Sequence, residues 1–128
     1  MGLDMYLYSY KDAEKRGYKD RNYWLEWRKA NAIHWWFVSE IQGGVDEWSE
    51  YPVPREKLVE LMELCVEAHD SKRMKSSTLM PTMEGSFFGS TDYDDHYFWE
   101  LRNTISQLEW LLASPKSKKV HFYYQASW

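Results

Sequence analysis

The hydrophobic positions of this chain change period as it proceeds, and the changes mark its elements. In the first ten residues Leu3, Met5 and Leu7 alternate with Asp4, Tyr6 and Tyr8, a period of two that predicts a half-buried strand from Gly2 to Tyr10. Residues 11–21 are charged, contain Gly17 and hold no period, so they read as a loop. From Asn22 to Ile41 the spacing becomes three and four: Trp24, Trp27, Asn31, His34, Val38 and Ile41 form one stripe, widened by Tyr23, Ala30 and Phe37. That pattern predicts a single long helix, with Gly43-Gly44 as its stop. Leu25, Ile33 and Trp36 on its other side imply a central helix buried on more than one side. Asn31 and His34 lie within the aromatic stripe, and buried polar groups need partners supplied by other parts of the chain.

Tyr51 to Pro54 reads as an extended connector, with Pro54 suited to the first turn of a helix. A second helix is predicted from Arg55 to His69, burying Leu58, Leu61, Met62, Cys65 and Ala68. Glu56, Glu60, Glu63, Glu67 and Asp70 follow at steps of four, three, four and three, which lines five carboxylates along one stripe. Residues 71–90 form a long polar loop in which Phe87-Phe88 can pin the far end to the core. A third helix is predicted from Asp92 to Ala113, with Tyr97, Leu101, Ile105, Leu108 and Leu112 buried, a capping box at Thr91 and Asp94, and Pro115 as stop. Val120, Phe122, Tyr124, Ala126 and Trp128 alternate as a closing strand. The fold expected is α+β, one domain over residues 1–128, with a small antiparallel sheet that includes the N- and C-terminal strands and three helices covering one face. Pairing of those strands brings Asp4 near Gln125 and Ser127.

Composition narrows the classes of function. A single Cys among 128 residues excludes an internal disulfide framework and a Cys-rich zinc ribbon, and points to a reducing, cytoplasmic location. No window approaches the roughly 20 apolar residues of a membrane span, and the start lacks a basic region followed by an apolar run, so a soluble, unprocessed protein is expected. Net charge of −4 argues against broad nucleic-acid binding and leaves basic partners open. Eight Trp and ten Tyr are enough to fill a compact core or to furnish an interface.

Candidate chemistry is sparse. His34 on an aromatic stripe is a hydrogen-bonded structural group, a metal ligand or a base. Asp4 is a carboxylate in a strand otherwise apolar and aromatic, facing either water or a site. Asp92, Asp94, Asp95 and His96 resemble an oxygen-rich metal site, although acids at a helix start also cap free N–H groups and complement the macrodipole. Asp4, His34, Asp94 and His96 are therefore the candidate metal set, held by residues distant in sequence, with no HxxxH or CxxC to nucleate it. No GxSxG elbow or phosphate-cradling loop is present, which favours a non-enzymatic protein. The acids offer another possibility: between Glu40 and Asp70 nine of them stand against Arg55 and Lys57, a local net charge of −7. Glu56, Glu60, Glu63, Glu67 and Asp70 are the candidate partner-binding residues, suited to a basic groove that they would occupy in place of nucleic acid.

Four blocks, GLDMYL, WRKANAIHWWFV, FFGSTDYDDHY and FYYQASW, resemble those of a family of small bacteriophage and prophage proteins, and the resemblance runs from the first residue to the last. It implies a phage inhibitor of bacterial defence, similar to zinc-containing anti-CRISPR proteins that act on a type II CRISPR effector nuclease, with a structural zinc ion. The blocks contain Asp4, Arg28, Asn31, His34, Asp94, Gln125 and Ser127. The chain departs from the family at Trp48, where members carry Cys, and at His96, where they carry an apolar or acidic residue. A metal-dependent hydrolase and a structural or regulatory phage protein are the alternative readings.

Overall fold

A computed structural model describes residues 2–12, 14–85 and 87–128 of the chain. Its strands are β1 (Asp4–Tyr10), β2 (Arg21–Arg28), β3 (Tyr51–Val53) and β4 (Phe122–Ser127), and its helices are α1 (Asn31–Glu40), α2 (Arg55–Asp70), α3 (Ser76–Leu79) and α4 (Asp95–Ala113). The strands form one antiparallel sheet in the order β2-β1-β4-β3. The architecture is α+β, as the alternating periods predict. The terminal strands pair with Asp4 opposite Ser127 and Tyr6 opposite Gln125, so both bury their apolar sides against the same helices.

The long helix expected from Asn22 to Ile41 is two elements. Its first part is β2, an edge strand paired with β1, and only its second part is α1. The cause is a bulge: Leu7 lies opposite Leu25 and Tyr8 opposite Tyr23, which leaves Trp24 as an extra residue. That insertion breaks strict alternation, so Trp24, Trp27 and Asn31 fall at helical spacing although Tyr23 to Trp27 are ring-rich and suited to a pleated surface. The turn between β2 and α1 is made at Lys29, whose φ of 55° is left-handed, with its N–H donating to the Leu3 carbonyl at 2.7 Å. The stop is as expected. Gly43 and Gly44 have φ of 64° and 85°; the Gln42 N–H reaches back to the Phe37 carbonyl at 2.9 Å, a six-to-one bond, and the Gly44 N–H to the Val38 carbonyl at 2.8 Å, so the last carbonyls of the helix are satisfied.

One face of the sheet is buried by helices. Phe37 of α1 stacks on Tyr124 of β4 at 3.8 Å between centroids. Trp27 of β2 donates its indole N–H to Thr104 of α4 at 2.9 Å. Helix α2 lies beside α4 and buries Leu58, Leu61, Cys65 and Ala68, four of the five positions expected; Met62 is partly buried. In α4 Tyr97, Leu101 and Leu108 are buried as expected, together with Thr104 and Leu111, while Ile105 and Leu112 are only partly covered. The cap of α4 is Asp94 itself, which accepts the Tyr97 N–H at 3.1 Å. The helix therefore starts at Asp95, three residues later than the Thr91 capping box implied.

The stretch expected to be loop, residues 71–90, contains the one-turn α3. Phe88 alone pins its far end, for Phe87 is exposed. Asn31, at the first turn of α1, organises this stretch: its side-chain amide donates to the carbonyls of Phe88 (3.1 Å) and Ser90 (2.9 Å) and accepts the Met83 N–H (3.1 Å). Among the described residues no helix is long and apolar enough to cross a membrane.

Candidate functional site

His34 points from α1 into the core and is fully buried. Its Nδ1 lies 2.6 Å from the Tyr124 hydroxyl and its Nε2 lies 2.7 Å from Asp46 Oδ1. An ionised carboxylate only accepts, so Nε2 carries the proton and Nδ1 accepts from Tyr124. Burial pulls the imidazole pKa below its ordinary value, against the opposing pull of the Asp46 hydrogen bond and charge, and the ring is neutral. Phe88 and Trp128 close around it at 5.5 and 5.8 Å. Both ring nitrogens are thus spent on tying α1 to β4 and to the connector that follows α1. This is the structural reading of His34, and with Asn31 it accounts for both polar residues of the aromatic stripe.

The other three residues of the candidate metal set lie elsewhere. Asp4 sits opposite Arg28 in the β1–β2 ladder, with Arg28 Nε at 3.7 Å. Asp94 spends one oxygen on the cap of α4. His96 is exposed, stacked on Trp99, with Nε2 3.7 Å from Glu100. Asp94 and His96 share a small pocket with Lys29, Asn31 and Glu100, and burial there raises the Glu100 pKa against the opposing effect of His96. Among the described residues no three His, Cys, Asp or Glu side chains gather so as to hold a metal ion. The four candidates are not brought together at one point. Gln125, on the far side of β4 from the core, donates to the Trp48 carbonyl at 2.7 Å. Cys65 is buried and its thiol is pushed up to about 12, which keeps it protonated and inert.

The five acids of the second stripe are placed as their spacing predicts. Glu56, Glu60, Glu63, Glu67 and Asp70 are all exposed on the outer side of α2. Lys57 lies 3.0 Å from Glu60 and 3.5 Å from Glu40, and Lys75 lies 3.6 Å from Glu67. Of the nine acids between Glu40 and Asp70, three are engaged by other side chains of the chain. Asp46 holds His34, Glu47 accepts from Tyr51, and Glu50 accepts from Tyr8 and Tyr10. The outward-facing charge is the α2 row with Glu40.

Glu50 is the centre of a cluster that the sequence reading missed. On the side of the sheet away from the helices Tyr6, Tyr8 and Tyr10 of β1 meet Tyr23 of β2 and Tyr123 of β4 at centroid separations of 5.4 to 6.1 Å. Arg16 binds Glu50 at 2.6 Å and lies over Tyr10 and Tyr123, while Arg21 lies over Tyr8. Burial alone would raise the Glu50 pKa, but the Tyr10 and Tyr8 hydroxyls and the Arg16 charge outweigh it, and the carboxylate is held below its usual range. The signal was available: three tyrosines at alternate positions on the nominally wet side of β1.

Comparison with known proteins finds no matching family model, no matching curated protein and no matching solved structure.

Proposed function

We propose that this protein is a non-enzymatic binding protein that presents the carboxylate row of α2 to a basic, nucleic-acid-binding surface of a partner. The observation that carries the reading is the sidedness of α2: Leu58, Leu61, Cys65 and Ala68 are buried, whereas Glu56, Glu60, Glu63, Glu67 and Asp70 all face outward. A rigid helix holds such a row at the 1.5 Å rise per residue of the α-helix, about 21 Å from first acid to last. A row of that length can replace several backbone phosphates in an Arg- and Lys-lined groove. Taken with the resemblance of the four blocks, the partner is a type II CRISPR effector nuclease and the protein a phage inhibitor acting in the bacterial cytoplasm. Zinc enters this proposal only through the resemblance, and no step of it rests on a metal.

The test is competition. With purified effector, guide and target duplex, the protein is expected to lower DNA binding in proportion to its concentration, and the inhibition is expected to weaken as salt rises. Inhibition of cleavage with DNA binding unchanged would contradict occupation of the nucleic-acid surface.

A further inference from the structure

The tyrosine-rich side of the sheet holds a second feature that the proposed function does not use. A cleft of about 400 Å³ opens there, lined by Tyr6, Tyr18, Arg21, Tyr23, Trp48 and Gln125, within the roughly 300–1,000 Å³ of small-molecule sites. Arg21 is the unusual member, its side chain only 7% exposed. Its guanidinium is sandwiched between the Tyr8 ring at 4.1 Å and the Tyr18 ring at 4.2 Å, which fixes its plane and leaves its edge for hydrogen bonding.

Part of that edge is taken up by the Tyr23 and Tyr10 hydroxyls, and part is not. Nε is buried with no hydrogen-bond partner, a costly state for a charged donor group. Nη2 stands 3.8 Å from Glu50 Oε2, beyond hydrogen-bond reach. Glu50 itself is occupied by Tyr8, Tyr10 and Arg16. Two guanidiniums thus share one carboxylate, while Asp4 and Glu26, with Arg28, act on Tyr6 elsewhere along the same cleft. Around it stand flat surfaces: Tyr23, Tyr18 and Trp48 are 43%, 73% and 57% exposed, with the Trp48 backbone held by the bond from Gln125 to its carbonyl and its ring edge-on to Trp128.

We propose that this cleft binds a small molecule made of a flat ring carrying an oxyanion, the oxyanion on the edge of Arg21 and the ring against Tyr23 and Trp48. A guanidinium pinned by rings suits a carboxylate or a phosphate equally, and exposed aromatic faces suit a planar heterocycle. Two sources of this chemistry are distinguished by the probes: a nucleoside monophosphate, for which adenosine 5′-monophosphate serves, and an aromatic carboxylate, for which indole-3-acetate serves. Inorganic phosphate tests the anion alone.

Calorimetric titration of the full chain with each probe decides the matter, with Trp48 indole N–H shifts followed by NMR to locate binding. At least one ring-bearing anion is expected to bind saturably, to shift the Trp48 signal and to exceed phosphate in affinity by about fivefold or more, the low end of what one ring stack contributes. Arg21→Gln is expected to abolish binding. Because Arg21 is buried, Trp48→Ala, an exposed change, provides a second measure and is expected to weaken binding by about tenfold. No saturable binding of either ring-bearing probe, phosphate binding as tightly as both, or affinity unchanged by Trp48→Ala would each overturn the proposal.

Discussion

His34 Nε2 lies 2.7 Å from Asp46 Oδ1, and the same ring accepts from Tyr124 at 2.6 Å on its other nitrogen. One neutral imidazole therefore joins α1, the connector after it and the C-terminal strand. Replacing it with Ala removes a packed ring and leaves the buried Tyr124 hydroxyl without its acceptor. The expected loss is about 3–5 kcal/mol, the range for a large buried side chain deleted together with a hydrogen bond. Chemical denaturation of His34→Ala measures it; a loss below about 1 kcal/mol would place the ring at an unimportant position.

The same ring sets a pH dependence. Burial lowers the His34 pKa below its ordinary 6.5, so the unfolded chain takes up the proton before the native one does. The stabilisation is fully present above about pH 6.5 and is lost as pH falls through the folded value. Melting temperature is expected to decline on acidification below pH 6.5, and less so in His34→Gln, which has no titrating group there. Equal decline in both proteins would move the effect to the carboxylates.

Asn31 makes a more local prediction. Its side chain satisfies two carbonyls and the Met83 N–H, so Asn31→Ala leaves those groups unpaired beneath the loop. A cost of about 2–3 kcal/mol is expected. Hydrogen exchange at Met83 should accelerate far more than exchange within α2. Uniform acceleration along the chain would show a global effect instead.

The zinc implied by the resemblance can be tested through the residues that fail to converge. Asp4 pairs with Arg28, Asp94 caps α4 and His96 stacks on Trp99. Elemental analysis of chelator-free wild type and of the double variant Asp4→Asn, His96→Ala is expected to give the same zinc content. Loss of stoichiometric zinc in the variant would show that these side chains do meet on a metal.

How far the sequence could be read depends on period. β1, β4, α2 and α4 each keep one period over most of their length, and the terminal strands pair at Asp4, Gln125 and Ser127 as their alternation required. At Trp24 the bulge erased the evidence of a strand, since one inserted residue turns spacing of two into spacing of three. The acidic row was legible because a helix preserves spacing. The Glu50 cluster was not, because Arg16, Arg21 and Glu50 come from irregular segments or strand ends brought together only by the sheet. Likewise the partners of His34 lie 12 and 90 residues away, and no local pattern names them.

The central claim concerns the outward face of α2, and charge reversal tests it most directly. Glu60, Glu63 and Glu67 are exposed, and three such substitutions usually cost within about 0.5 kcal/mol each. The triple variant Glu60→Lys, Glu63→Lys, Glu67→Lys is therefore expected to keep its melting temperature within a few degrees. Its association rate with the effector nuclease, measured by surface plasmon resonance at low salt, is expected to fall by at least about tenfold, since like charges then meet across the groove. Association and inhibition equal to wild type, with the fold intact, would show that the row is a solvated helix face and would contradict the account.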